Sequence, residues 1–282
     1  MMNKRITSYY RDGLTFDVRD QGPLDGPVAV LLHGFPERSD SWRGVAPLLH
    51  ARGIRTLAPD QRGYSPGARP RRRRDYRLPL LVDDVTALVE RAGGPVHVVG
   101  HDWGAVVGWA LAATRPDLVA TLTAASVPHP GAFLKAMFTS KQGLRSWYML
   151  ALQLPRLPER LASRPGGRID EELQKGGMTA EDVARFHRDI VQYGALTGGL
   201  NWYRAMFLTD PRSTRGRVTV PTTYVWSDGD VALTREAAEL CGDYVDGPYR
   251  FEVLAGVSHW IPTQAPDALA GLILDGIRRP TP

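Results

Sequence analysis

A stretch of five residues at positions 100–104 constrains the fold more than any other feature of the chain. The apolar run Val96–Val99 leads into the sequence Gly-His-Asp-Trp-Gly at positions 100–104, and a helical pattern follows. This order predicts a strand that turns sharply into a helix. Side chains at Gly100 and Gly104 would collide with neighbouring backbone, so the turn requires glycine at both positions. The turn places Asp102 at a helix N-terminus, where the helix dipole favours the ionised carboxylate.

Other apolar runs of the same kind are spread along the chain and end in glycine, proline or a polar turn. Continuous apolar strands are typical of the interior of a parallel sheet. Helical patterns alternate with these runs, which predicts an α/β fold with a doubly wound, mostly parallel sheet and helices on both faces. The predicted strands are Val28–Leu32, Ile54–Ala58, Val96–Val99, Thr222–Trp226 and Phe251–Leu254, and the predicted helices include Leu80–Arg91, Ala105–Arg115 and Thr234–Tyr244.

The alternation of strands and helices fails between about Pro130 and Arg217, where the sequence has helical patterns, many prolines and no good strand. We interpret residues 130–217 as a helical lid inserted after the sixth strand, over the carboxyl ends of the strands, where open α/β sheets bind their ligands. Residues 1–129 and 218–282 then form the core domain. Within the lid, the Gly- and Arg-rich segment Arg164–Gly177 predicts a mobile loop.

The composition, 43% hydrophobic and 23% charged over 282 residues, is that of an ordinary soluble enzyme. Much of the net charge of +5 lies in Arg69–Arg77, which contains six arginines. A run of this kind can bind nucleic acid or an anionic membrane surface. No recognised nucleic-acid module surrounds it, so we interpret it as a solvated loop and expect neither a nucleic-acid nor a membrane partner.

The compartment is predicted from what the sequence lacks. A lone cysteine, Cys241, cannot form an internal disulfide. The first residues are polar and charged without the apolar segment of a secretory signal, and no apolar run approaches the roughly 20 residues that span a bilayer. We therefore expect a cytoplasmic protein.

The Gly-x-Asp-x-Gly sequence resembles the nucleophile elbow of α/β-hydrolases, with Asp102 in the position of the usual serine. Alternatively, Asp102 only caps the following helix. In this fold the nucleophile is followed along the chain by an acid and then a histidine. Asp228 and Asp230 follow one predicted strand, and His259 follows the next. Both acids remain candidates, and we favour Asp230 because the first residues after a strand usually form the turn.

The segment His33-Gly34-Phe35-Pro36-Glu37 follows the strand Val28–Leu32. This is the loop that supplies one backbone N–H of the oxyanion hole in such folds, here from Phe35, and the N–H of Trp103 supplies the other. A cis peptide bond is expected at Phe35–Pro36, because only an X-Pro bond adopts cis at low cost.

These motifs, together with Asp60-Gln61-Arg62-Gly63-Tyr64-Ser65 and His259-Trp260, resemble the soluble epoxide hydrolases of the α/β-hydrolase superfamily from about Tyr9 to Ile277. The resemblance implies two lid tyrosines that bind the epoxide oxygen. Leu200-Asn201-Trp202-Tyr203-Arg204 closely matches one such segment and gives Tyr203. Ser146–Gln153 matches the other more loosely, because Leu152 stands where the family usually has an aromatic residue, and it gives Tyr148.

The resemblance implies an epoxide hydrolase in which Asp102 attacks an epoxide carbon to form an alkyl ester. His259, oriented by Asp230, then activates water to hydrolyse the ester. The substrates are a small-molecule epoxide and water, the product is a vicinal diol, and no metal or organic cofactor is expected. Aromatic residues are predicted to line part of the substrate site, namely Phe35, Trp103, Trp147, Trp202 and Trp260.

Other functions remain open for such a chain. A haloalkane dehalogenase uses the same aspartate chemistry, but Phe35 replaces the asparagine common in its oxyanion-hole loop. A non-catalytic ligand-binding protein on this fold would not need the complete set of Asp102, Asp230 and His259. An esterase or lactonase would have to proceed through an anhydride or use Asp102 as a base.

Overall fold

The computed structural model describes residues 4–210 and 216–278, and a sheet of eight strands runs through it. The strands are β1 (Ser8–Arg11), β2 (Leu14–Gln21), β3 (Val28–Leu32), β4 (Arg55–Pro59), β5 (Val96–His101), β6 (Val119–Ala125), β7 (Thr222–Ser227) and β8 (Tyr249–Leu254). They lie in the order β1-β2-β4-β3-β5-β6-β7-β8. β1 and β2 pair antiparallel at one edge, and β3 to β8 are parallel. The predicted mostly parallel sheet is confirmed.

Helices cover both faces of this sheet. Outside the segment between β6 and β7 they are α1 (Ala46–His50), α2 (Leu78–Ala92), α3 (Trp103–Thr114), α11 (Arg235–Glu239), α12 (Ile261–Gln264) and α13 (Pro266–Arg278). Successive residues of a strand point to opposite faces. Val30 and Leu32 therefore pack in the core under α2 and α3, whereas Ala29 and Leu31 pack in a second core under α1 and α13. Burial on both faces explains the continuous apolar runs of the central strands.

Between β6 and β7, in the segment predicted to be a lid, the described chain forms helices. Its helices are α4 (Pro130–Thr139), α5 (Gln142–Arg145), α6 (Tyr148–Ala151), α7 (Leu157–Ala162), α8 (Arg168–Lys175), α9 (Ala180–Arg185), a π-helical turn (Phe186–Gln192) and α10 (Leu196–Met206). Gly198 of α10 lies so close to the core that a Cβ there would be 2.3 Å from the carbonyl oxygen of Gly63. The indole N–H of Trp202 donates to the carbonyl of Arg62 over 2.8 Å.

One lid prediction is wrong. The segment Arg164–Gly177, predicted as a loop, contains α8. Asp170 in its first turn accepts a hydrogen bond from the N–H of Gly166 and lies 2.8 Å from the imidazole of His187. An acidic residue in the first turn stabilises a helix, and these two contacts fix its start. The flanking glycines therefore mark the ends of a helix and not the interior of a loop.

Some predicted ranges extend beyond the described residues. Residues 1–3 and 279–282 of the predicted core domain, and residues 211–215 of the predicted lid, lie outside them. Within the described ranges, no helix is both long enough and apolar enough to cross a bilayer.

Candidate active site

Asp102 lies between the end of β5 and the start of α3. Its backbone conformation, with φ at 52° and ψ at −123°, is one that residues other than glycine rarely adopt. The flanking glycines allow this turn. A Cβ at Gly100 would be 2.4 Å from the carbonyl oxygen of Gly104, and one at Gly104 would be 2.0 Å from that of Leu32. The predicted collisions with backbone are therefore confirmed. The structure brings the Asp102 carboxylate to the carboxyl edge of the sheet, and the residue is only 8% exposed.

His259 lies in the loop after β8 and faces two carboxylates. Its Nε2 is 3.5 Å from Oδ2 of Asp102, and its Nδ1 is 2.7 Å from Oδ2 of Asp230. All three residues are buried. The imidazole thus bridges the carboxylate at the nucleophile turn and a second carboxylate behind it, in the geometry of a nucleophile, a base and the acid that orients the base.

The two acidic candidates after β7 have different surroundings. Asp230 is buried, and its Oδ1 accepts hydrogen bonds from the backbone N–H groups of Ala232 and Leu233 at 2.7 and 3.0 Å. Asp228 lies in the turn and accepts one hydrogen bond from the N–H of Gly256, at 2.7 Å. Of the two carboxylates, the structure therefore places that of Asp230 against His259.

Two further residues contact the backbone of His259, and neither is among the site residues predicted from the sequence. His101 Nε2 and the hydroxyl of Ser126 lie 2.9 and 2.7 Å from the carbonyl oxygen of His259. The other ring nitrogen of His101 is 3.5 Å from Glu37. The position of His101 beside Asp102 was a usable signal. Nothing in the local sequence marks Ser126, because its contact depends on a residue 133 positions away.

Backbone donors converge on the Asp102 carboxylate. The N–H of Phe35 donates to Oδ1 of Asp102 over 2.8 Å, and the backbone N–H of Trp103 helps to lower the pKa of the same carboxylate. The Phe35–Pro36 bond is cis, as predicted. The two predicted oxyanion-hole donors therefore lie at the same carboxylate.

The charges of the site shift one another's pKa values. Burial alone raises the pKa of Asp102, but the hydrogen bond and charge of His259, with smaller effects of His101 and the Trp103 N–H, lower it overall. Burial lowers the pKa of His259, whereas the Asp230 charge and the hydrogen bonds to Asp102 and Asp230 outweigh it and raise that pKa to about 10. We therefore expect the resting site to hold an imidazolium between two carboxylates.

Two lid tyrosines face the Asp102 turn. The Tyr203 ring packs edge-on against the rings of Trp103 and Phe35, with centroid distances of 5.0 and 5.5 Å. The Tyr148 ring is 6.2 Å from that of Tyr203. Burial first, and then the negative charge of Asp102, raise the pKa of both tyrosines. Both hydroxyls are therefore protonated and able to donate hydrogen bonds.

The three tryptophans predicted to bind substrate occupy different places. Trp260 is buried, and its ring centroid is 5.1 Å from that of His259. Trp202 is buried, with its ring 5.8 Å from that of Trp103. Trp147, in contrast, is 62% exposed on the outside of the lid. The structure therefore brings Trp260 and Trp202 to the surroundings of the site but not Trp147. Among the described residues, no group of three or more His, Cys, Asp or Glu side chains is arranged to hold a metal ion.

Comparison with known proteins assigns the family. Residues 29–272 match the model of the alpha/beta hydrolase family. The chain is 35% identical to an AB hydrolase superfamily protein, YfhM, of Bacillus subtilis over 95% of this chain and 96% of the relative. It is 31% identical to epoxide hydrolase A of Mycobacterium tuberculosis, with 94% of each chain covered.

Solved structures of epoxide hydrolases have the same fold. The enzyme of Bacillus megaterium, crystallised with an inhibitor, superposes with a TM-score of 0.83 at 25% identity, covering 96% of this chain and all of that one. An epoxide hydrolase from hot-environment metagenomes gives a TM-score of 0.83 at 29% identity, with 97% of each chain covered. The chain therefore belongs to the alpha/beta hydrolase family and, within it, to the group that contains these epoxide hydrolases.

Proposed function

We propose that the protein is an epoxide hydrolase that converts an epoxide and water to a vicinal diol through an ester on Asp102. One observation carries the proposal. Asp102 stands at the nucleophile turn with its Oδ2 3.5 Å from His259, and Asp230 holds the far side of the same imidazole. The relatives that are named epoxide hydrolases support the choice of substrate class.

An aspartate nucleophile limits the chemistry. A serine that opened an epoxide would become an alkyl ether, which activated water cannot cleave. An aspartate becomes an alkyl ester, and water attacks its carbonyl carbon to release the diol. An aspartate nucleophile therefore favours attack at a carbon that carries a ring oxygen or another leaving group. It disfavours acyl transfer.

In the first step, Asp102 attacks an epoxide carbon while Tyr148 and Tyr203 donate hydrogen bonds to the ring oxygen. The C–O bond breaks as the ester forms, and the resulting alkoxide takes a proton from a tyrosine. The negative charge of Asp102 helps to raise the pKa of both tyrosines in the resting site. Esterification removes that charge, so both hydroxyls become more acidic as the alkoxide forms.

The same loss of charge prepares the second step. The carboxylate of Asp102 helps to raise the pKa of His259. After esterification that contribution is absent, and His259 gives its proton to the tyrosinate and becomes a neutral base. It then takes a proton from water, which attacks the ester carbonyl. Collapse of the tetrahedral intermediate restores the Asp102 carboxylate, the imidazolium and the alcohol.

The N–H groups of Phe35 and Trp103 stabilise the tetrahedral oxyanion in this scheme, because the Phe35 N–H already donates to the carboxylate from which it forms and the Trp103 N–H helps to lower the pKa of that carboxylate. Loss of one such donor typically raises the barrier by about 3 kcal/mol. Residues 130–217 act as the lid that supplies Tyr148 and Tyr203, and residues 1–129 and 218–282 supply the remaining groups.

Replacement of the base tests the proposal directly. A His259→Gln variant retains Asp102 and forms the ester but cannot activate water, so the covalent adduct accumulates. We would incubate this variant with an aryl epoxide, and separately with a 1-haloalkane, and measure intact and peptide mass spectra. The Asp102 peptide is expected to gain the full mass of the epoxide, because ring opening expels no atoms.

A His259→Gln, Asp102→Asn double variant is the matched control and is expected to give no adduct. An alkyl adduct from the haloalkane alone would replace the proposal with a haloalkane dehalogenase. Failure of both reagents to modify Asp102 would contradict the covalent mechanism and leave a protein that binds without turnover on this fold.

A further inference from the structure

The outer surface of the lid carries large apolar side chains that face solvent. We define the lid patch as Trp147, Leu150, Leu154, Leu157, Leu161 and Phe207, which are between 38% and 66% exposed. Monomeric soluble proteins normally expose apolar residues singly, and a contiguous patch marks an interaction site.

Backbone hydrogen bonds make residues 146–154 one run of helical turns, including Leu150 N–H to the Trp147 carbonyl and Leu154 N–H to the Ala151 carbonyl. Trp147, Leu150 and Leu154 are therefore spaced as successive turns of one face. Tyr148, in the same run, packs against Tyr203. One short segment thus presents a tyrosine to the active site and an apolar face to the outside.

The buried guanidinium of Arg204 joins the rest of the patch to this segment. It donates to the carbonyl of Leu154 at 2.8 Å and binds Glu159, which lies between Leu157 and Leu161 in α7. Phe207 follows Arg204 at the end of α10. The six side chains therefore come from one continuous region of the lid.

The basic run noted in the sequence borders the same region. A 3₁₀ turn at Arg73–Tyr76 packs on α10, and the charge of Arg73 helps to lower the pKa of Glu159. Arg71, Arg72, Arg73 and Arg74 are exposed. Within residues 4–210 and 216–278, none of these four guanidinium groups takes part in an ion pair. From Lys135 to Arg168 the lid itself has seven Lys or Arg residues and one acidic residue.

We propose that this face of the lid docks on an anionic membrane surface, which reverses the expectation from the sequence that the protein has no membrane partner. Leucine, tryptophan and phenylalanine side chains enter the boundary between headgroups and acyl chains, while the arginines bind lipid phosphates. A second copy of the chain fits the surface less well, because a two-fold contact would bring the arginine runs of both copies together. Nucleic acid would leave the leucines without an apolar partner. This docking does not depend on the reaction at Asp102.

Vesicle binding tests the inference. We would measure co-sedimentation of the full chain with vesicles of phosphatidylcholine alone and with vesicles that also contain phosphatidylglycerol. Binding is expected only to the anionic vesicles. Raising the salt from about 0.1 M to about 1 M shortens the Debye length from about 10 Å to about 3 Å and should release the protein.

Two sets of substitutions separate the apolar and electrostatic contributions. Each basic residue near an anionic surface strengthens binding about fivefold. Replacing Arg71, Arg72, Arg73 and Arg74 together by Gln should therefore weaken binding about 600-fold. Leu157→Ser, Leu161→Ser and Phe207→Ser combined should weaken it roughly 100-fold. The matched controls are Arg52→Gln with Arg91→Gln, and Tyr10→Ser, at exposed positions outside the patch. These should bind like the parent protein.

Trp147 supplies an internal reporter, because Trp103 is half-buried and the other five tryptophans are buried. Its emission should shift to shorter wavelength on anionic vesicles, and Trp147→Phe should abolish the shift. Absence of binding to anionic vesicles, equal binding to both lipids, or binding unaffected by the patch substitutions would overturn the proposal. A dimer in solution that the apolar substitutions dissociate, without vesicle binding, would also overturn it and assign the face to a second copy of the chain.

Discussion

At the residue scale, the two oxygens of Asp230 have separate tasks. Oδ1 accepts two backbone hydrogen bonds from Ala232 and Leu233, which fix the carboxylate, and Oδ2 meets Nδ1 of His259 at 2.7 Å. A hydrogen bond at Nδ1 selects the tautomer and the ring orientation that direct Nε2 at Asp102. The carboxylate therefore both orients the imidazole and stabilises its positive charge.

Asp230→Asn is predicted to lower kcat by about 10⁴-fold, because an amide can present its N–H to Nδ1 and hold the wrong tautomer. Asp228→Asn is the matched control: its side-chain oxygen still accepts the hydrogen bond from Gly256, and kcat should change little. Steady-state rates on an aryl epoxide measure both variants. Equal losses in the two variants, or a larger loss for Asp228→Asn, would contradict the assignment.

The sequence predicts those parts of the candidate site whose geometry is set by adjacent residues. The glycines around Asp102 and the proline after Phe35 carry their geometry in adjacent residues. Adjacent residues do not decide between Asp228 and Asp230. Both follow the same strand, and only the path of the loop determines which carboxylate meets His259. Ser126 was missed for the same reason, since its partner lies far along the chain.

At the element scale, aromatic and basic side chains hold the lid to the core. The ring of Tyr193, between the π-helical turn and α10, lies under two guanidinium groups of the core. The Cζ atoms of Arg38 and Arg69 are 3.7 and 4.8 Å from its centroid. Arg38 also forms an ion pair with the buried Asp60. These contacts fix the segment that leads into α10, which carries Tyr203.

Tyr193→Leu is predicted to loosen this segment, because it removes both cation–π contacts while the Tyr193 carbonyl still accepts from Arg69. The loss of about 1 to 2 kcal/mol in opening free energy corresponds to roughly 5- to 30-fold faster hydrogen exchange. Exchange mass spectrometry should locate the increase in residues 186–206 and show none in β5 or α3. Tyr10→Leu, at an exposed tyrosine of β1, should leave lid exchange unchanged. Equal hydrogen exchange of residues 186–206 in the two tyrosine variants would contradict this role of Tyr193.

The elements themselves were predicted unevenly. The apolar runs predict β3, β4, β5, β7 and β8, but miss three strands. β2, next to the edge strand, alternates between exposed and buried residues, so it has no continuous apolar run. β6 is rich in alanine and threonine, and β1 has four residues. Helix α2 begins two residues before the predicted start, because Pro79 fits the first turn of a helix.

At the scale of the whole molecule, the buried charges of the active site make stability depend on pH. His259 has its pKa raised from 6.5 to about 10. A raised pKa means that the folded state binds the proton more tightly than the unfolded chain does. The resulting stabilisation is fully present below about pH 6.5 and is lost as the pH rises through about 10. Buried tyrosines whose pKa values are also raised, such as Tyr64 and Tyr224, add a further loss in more alkaline solution.

The His259→Gln variant should separate these contributions, because glutamine does not titrate and the tyrosines remain. Between pH 6.5 and 10 the free energy of unfolding of the parent protein should fall relative to the variant by up to about 1.4 kcal/mol per pH unit. Urea unfolding at several pH values, with equal ionic strength, measures the difference between the two curves. Parallel curves over this window would mean that His259 is neutral in the resting protein. The imidazolium would then have to be removed from the proposed mechanism, with the Asp102 ester retained.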